Sequence, residues 1–286
     1  MKKKIQLLIN SGILEKINLA ITTSLNQGYL NYPWWEYLVL YDWIQENDLA
    51  RELDPTFWKK ITYDEENLAQ KIQRLINLKV LAITDGKHLK IIAISPLVGK
   101  LKNLEVLSCS FQNLKTFPKE IKYLKHIKKF SFASPKLEEY PDFLAELPCL
   151  EHLSINVSVL YDWKNKLSGF PKKLALCSTL ISLYVYNTKL KTGEVDDVLK
   201  GLPLLETLWL DNCELKEFPQ EVKNLRNLKS LSLRGNFIET LPNWLEEMKN
   251  LEILFIENNP LKAIPLFSDS FRKEKVDIFN PYISTS

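Results

Sequence analysis

The chain is 286 residues long, 50 of them leucine, within a sequence that is 45% hydrophobic. Glycine is scarce, at 8 residues. That is far below the roughly 7% of an average domain and argues against glycine-rich phosphate loops. Lysine and arginine (38) nearly balance aspartate and glutamate (35), so no large positive field exists to drive binding to nucleic-acid phosphates. The apolar and aromatic content excludes a disordered chain.

Residues 1–77 read as a helical domain. Ile5, Leu8 and Ile9, then Ile13, Leu14 and Ile17, then Trp35, Leu38 and Trp43 recur at helical spacing. Thr62-Tyr-Asp-Glu65 has the form of a capping box opening a helix with Leu68, Ile72 and Leu75 on one face. Four of the seven tryptophans, Trp34, Trp35, Trp43 and Trp58, fall here and are expected to be core. The apolar stretch Ile5–Ile9 is too short for an export signal or a membrane span. A cytoplasmic protein is therefore expected. Cys109, Cys149, Cys177 and Cys213 are too widely spaced for a zinc or redox pair, and are expected to be reduced, buried thiols.

From Leu78 onward the pattern Leu-x-x-Leu-x-Leu recurs. Units start at Leu78, Leu104, Ile127, Leu150, Leu180, Leu205, Leu228 and Leu251, at intervals of 26, 23, 23, 30, 25, 23 and 23 residues. A second column confirms this register. An apolar residue stands ten positions after the start in seven units, and a proline fourteen positions after it in five: Pro118, Pro141, Pro219, Pro242 and Pro265. In the long fourth unit the proline is displaced by seven, to Pro171, so an insertion lies between Leu160 and Phe170 and carries Tyr161 and Trp163. The alternation predicts a short strand with one buried face. The proline-led segment predicts a helical or extended return turn. One such unit cannot bury its own apolar face, so neighbours must stack.

The pattern resembles the leucine-rich repeat family, in its short intracellular-type class of about 23 residues per repeat. The unit closest to the family pattern is LKSLSLRGNFIETLPNWLEEMKN, residues 228–250. The family places Asn at the ninth position. Here that position holds Asn236 and Asn259, with Cys213 and Thr188 as substitutes, while Gly86, Gln112, Pro135 and Ser158 depart from it. The resemblance implies an α/β solenoid, with a curved parallel sheet on the concave face and helical or extended turns on the convex face. The expected division is an N-terminal α-helical capping domain over 1–77, eight repeats over 78–265 and a C-terminal cap over 266–286. Phe271, Val276, Ile278 and Phe279 are the apolar residues of that last segment.

Catalytic and metal constellations do not emerge. His88, His126 and His152 fall in different units without neighbours at ligand spacing. Ser108, Ser131 and Ser154 form a column but lack a Gly-x-Ser-x-Gly elbow, and fit better as small residues on a crowded face. No enzyme activity, cofactor or metal is expected. The second, third, fifth, seventh and eighth positions should face solvent on the concave side. The fifth column runs Ala82, Ser108, Ser131, Ser154, Tyr184, Trp209, Ser232, Phe255 and the seventh Thr84, Ser110, Ala133, Asn156, Tyr186, Asp211, Arg234, Glu257. The first half is small and neutral; the second is aromatic and charged. Rigid aromatics beside charges are the composition of a binding hot spot.

Tyr184, Tyr186, Trp209, Asp211, Arg234, Phe255 and Glu257 are therefore the candidate partner-binding residues. The expected function is a non-catalytic protein-interaction module or scaffold, acting as a monomer on a protein partner through repeats five to eight. An inhibitor or immunity-type protein that blocks one enzyme is the narrower alternative. Nucleic-acid binding through Lys115, Lys119, Lys122, Lys125, Lys128 and Lys129 is the less favoured one, and no nucleic acid or membrane partner is expected. Trp209 should point away from the core, so that its replacement by Ala leaves melting nearly unchanged.

Overall fold

Apolar residues two apart share one face only where the segment between them is extended. In the computed structural model each such unit forms a short strand. The structure describes residues 7–13, 15–17, 37, 40, 68–84, 93–157, 167–262, 265, 267 and 276–277. Strands β1 Val80–Thr84, β2 Val106–Ser110, β3 Lys129–Ala133, β4 His152–Asn156, β5 Ser182–Tyr186, β6 Thr207–Asp211, β7 Ser230–Ser232, β8 Ile253–Phe255 and β9 Val276–Asp277 form one parallel sheet in chain order. The register is that of the repeat: Leu81, Leu107, Phe130, Leu153, Leu183, Leu208, Leu231 and Leu254 pair in succession across the sheet. All of these, and the residues two positions further on, are buried in one continuous core.

The return turns are single 3-10 turns at Pro96–Lys100, Lys119–Tyr123, Asp142–Glu146, Lys172–Leu176, Gln220–Asn224 and Asn243–Glu247. Pro118, Pro141, Pro171, Pro219 and Pro242 stand at the N-caps, with φ between −62° and −76°. A proline ring presets that angle and has no N–H to leave unsatisfied. The fifth repeat lacks this proline and forms a true helix instead, which lies between β5 and β6 at Thr192–Leu199, with Val195, Val198 and Leu199 buried on one side. Adjacent turns pack tightly. A Cβ at Gly201 would collide with the Ala175 carbonyl, and one at Gly99 would meet the Glu120 carbonyl.

At the N-terminal end, helix Leu68–Ile76 buries Ile72, Leu75 and Ile76 in the same cluster as Leu78, Leu81 and Ile83. Asn103 ties the first turn to it by donating to the Ile76 carbonyl at 2.8 Å. Ile9, Ile17, Tyr37 and Leu40 are buried there too. The tryptophans Trp34, Trp35, Trp43 and Trp58, the capping box at 62–65, the insertion residues Tyr161 and Trp163, and His88 lie outside the described residues.

Three expectations need correction. The eighth position is not uniformly exposed: Phe111, Ser134 and Val157 are buried, whereas Asn187, Asn212, Gly235 and Asn258 turn outward at left-handed φ values of 54° to 64°. Gly and Asn tolerate that region, and bulkier residues avoid it. Cys149 is exposed, while Cys109, Cys177 and Cys213 are buried. Lys129 lies on β3 rather than on an outer turn.

Candidate functional site

Positions five and seven of each repeat lie on the concave face, and parallel pairing brings equivalent residues side by side. Tyr184 pairs with Trp209, and Tyr186 with Asp211. Edge-to-face packing puts the Tyr184 and Trp209 ring centroids 5.2 Å apart. Tyr186 stacks beside Tyr184 at 6.5 Å with the planes 16° from parallel. Trp209 also meets Phe255 edge-on at 6.1 Å, although β7 lies between their strands. The residue between them is Ser232, small and fully buried, so the two large rings close over it. The four aromatic candidates thus form one connected row.

The charges are equally ordered. Arg234 grips Glu257 with two hydrogen bonds, Nε to Oε2 at 2.7 Å and Nη2 to Oε1 at 2.9 Å. Its guanidinium carbon lies 4.0 Å from the Phe255 ring centroid. Such a bidentate, stacked arginine has little freedom left to lose. Asp211 departs from its expected place on an exposed rim: it is 8% exposed. Its Oδ1 accepts from Ser232 Oγ at 2.6 Å and from the Arg234 backbone N–H at 3.2 Å. Burial outweighs these bonds and holds its carboxyl above the usual carboxylate range. Burial, reinforced by the nearby Asp211 charge, pushes the Tyr186 hydroxyl up to about 12.

Trp209 is less free than its sequence position suggested. Besides two aromatic contacts, its Nε1–H donates to Ser230 Oγ at 3.1 Å. Each edge-to-face pair contributes about 0.5–1.5 kcal/mol, so Trp209→Ala should lower stability by about 1–3 kcal/mol rather than leave it unchanged. Ser230 and Ser232 escaped the sequence reading because an isolated serine on a strand carries no signal. Only the register shows that they hold the indole and the carboxylate.

The first half of the concave face is different. Ser131 donates to Ser108 at 2.8 Å, and His152, at β4, is half-buried, with burial and Lys129 lowering its pKa. Among the described residues, no group of three or more His, Cys, Asp or Glu could hold a metal ion. Of the six candidate lysines, three are ion-paired: Lys115 with Glu138 at 2.8 Å and Lys122 with Glu146 at 3.5 Å. Lys128 pairs with Glu105 at 3.4 Å, and Lys79 joins that same glutamate at 2.9 Å.

Residues 203–261 match the sequence profile of the leucine rich repeat family. The leucine-rich repeat domain of the type III effector XopL superposes with a TM-score of 0.56 at 21% identity, covering 74% of this chain and 72% of that one. Residues 203–261 are thus leucine-rich repeats, and the chain has the leucine-rich repeat fold. An internalin from Listeria monocytogenes aligns to it with a TM-score of 0.51 at 18% identity, covering 71% of this chain and 57% of that one. A leucine-rich repeat protein from Leptospira interrogans gives 0.51 at 24% identity, with 70% and 54% covered. The repeat protein therefore spans just over half the length of these last two, and likeness at such identities speaks to fold alone. No curated protein sequence matches it. Among the described residues no helix is long and apolar enough to cross a membrane.

Proposed function

We propose that this leucine-rich repeat protein is a non-catalytic interaction module that recognises a protein partner through the concave face of β5–β8. The carrying observation is the connected row Tyr186–Tyr184–Trp209–Phe255, continued by the prepaired Arg234 and Glu257. None of these rings fills the leucine core, yet each is held in a fixed orientation by its neighbours. A preorganised aromatic surface loses little entropy on association. We also take helix Leu68–Ile76 and the residues before it as the cap that shields the first repeat, since an uncapped solenoid exposes its core. The paired lysines speak against nucleic acid, because a cation already neutralised by a neighbouring carboxylate adds little to phosphate binding.

The test is affinity capture from the native host with wild-type protein, Trp209→Ala and Lys122→Ala, followed by affinity measurement on the captured partner. Trp209→Ala should weaken binding by about 2 kcal/mol or more, roughly thirtyfold, with the protein still folded at the assay temperature. Lys122→Ala should bind as wild type does. A partner whose affinity is indifferent to Trp209 places the binding surface elsewhere.

A further inference from the structure

Asp211 is a charged side chain more than nine-tenths buried beneath a surface otherwise suited to binding. Both hydrogen bonds to its carboxylate land on Oδ1, from Ser232 and from the Arg234 backbone. Among the described residues no donor reaches Oδ2. The guanidinium of Arg234 is turned onto Glu257 and Phe255. Two carboxylates, Asp211 and Glu257, thus lie near one guanidinium. Asp211 pairs across the sheet with Tyr186, and Trp209 stands two residues before it on the same strand face. A carboxylate whose two hydrogen bonds both fall on one oxygen, with aromatic rings beside it, matches a planar cation, which can donate to the other oxygen and lie against a ring at once.

Resting on the concave-face reading above, we propose that the partner inserts an arginine side chain at β5–β6, its guanidinium donating to Asp211 Oδ2 and lying against the rings of Tyr186 and Trp209. Pairing the second oxygen in this way gives specificity, since a neutral side chain there would cover Oδ2 without giving it a charged donor.

The experiment uses an array of synthetic twelve-residue peptides probed with the labelled full chain, as wild type, Trp209→Ala and Asp211→Asn. Peptides retained by wild type and lost by Trp209→Ala should be enriched in arginine. For the strongest of these, fluorescence polarisation then compares the arginine peptide with its citrulline counterpart, which keeps the shape and removes the charge. Citrulline should weaken wild-type binding about tenfold or more. Asp211→Asn should bind the arginine peptide correspondingly less well, with citrulline causing it little further loss. The citrulline exchange on wild type needs no protein variant, and the unfolding curve of Asp211→Asn checks its fold. Trp209-dependent peptides without arginine enrichment, or an equal citrulline loss in wild type and Asp211→Asn, would overturn the arginine socket and leave the concave surface standing. Enrichment of lysine in place of arginine would overturn the guanidinium assignment. An array in which nothing depends on Trp209 overturns both.

Discussion

Asn236 is the side chain on which the turn between two repeats depends most. Its Oδ1 accepts from the backbone N–H of Cys213 at 3.0 Å and of Leu215 at 3.1 Å, and its Nδ2 donates to the carbonyls of Leu210, Leu233 and Arg234 at 2.7, 2.8 and 3.3 Å. The residue is buried, so no water can replace it. Asn236→Ala orphans two buried donors at about 1–3 kcal/mol each and leaves the carbonyls poorer, giving an expected loss of about 3–5 kcal/mol. Asn236→Asp keeps the acceptor but turns a carboxylate toward three carbonyls, so it should be at least as damaging. Asn212→Ala, on an exposed residue at φ 54°, should cost only about 1 kcal/mol of left-handed strain. Urea unfolding at pH 7, followed by far-UV circular dichroism, measures all three. A loss below about 1 kcal/mol for Asn236→Ala, or wild-type stability in Asn236→Asp, would refute the claim that this amide organises the turn.

Other expectations concern charge and thiols. The folded-state pKa of Asp211 is raised by burial, so its contribution favours the folded state fully below the unfolded value of about 3.9 and is lost as pH rises through the folded value. Asp211→Asn should therefore match or exceed wild-type stability at pH 7 and lose that advantage by about pH 3.5; a variant clearly less stable than wild type only at pH 7 would reverse the sign of the argument. Native protein should react rapidly with a thiol reagent at Cys149 alone, because Cys109 and Cys213 are buried with their thiols pushed well up, and Cys177 is raised to about 11. Rapid modification of Cys109 or Cys213, located by peptide mapping, would contradict their place in the core.

The strands were legible because a leucine lattice is a strong constraint: shifting any unit by one residue would turn its leucines to solvent. The prolines announced the return turns for a similar reason, their fixed φ leaving few alternatives. The aromatic row was legible as a column, yet its closure was not. That Trp209 reaches Phe255 depends on Ser232 being small, a relation between three strands that only the register reveals. Asp211 was misjudged for the same kind of reason. Position seven reads as exposed, but the neighbouring Ser232 hydroxyl and Arg234 backbone enclose it. The helix at Thr192–Leu199 could have been anticipated from the absent proline and the spacing of Val195, Val198 and Leu199.

The two halves of the solenoid differ in their turns as well as in their surface, and the changes coincide. After β2, β3 and β4 the eighth-position residue is buried, as Phe111, Ser134 and Val157. From the fifth repeat onward the eighth position is left-handed Asn or Gly. At Gly235 a Cβ would also run into the Asn212 side chain. Behind these residues the ninth-position side chains bind the backbone of successive repeats: the Cys213 thiol donates to the Val185 and Asp211 carbonyls, Asn236 spans to the Cys213 repeat, and Asn259 spans to Asn236's. The repeats with this inner ladder are those that carry the aromatic row and the Arg234–Glu257 pair. A binding surface gains when its scaffold is already fixed, because less freedom remains to be lost on association. The switch in turn chemistry therefore braces the half of the sheet where aromatic side chains replace serines.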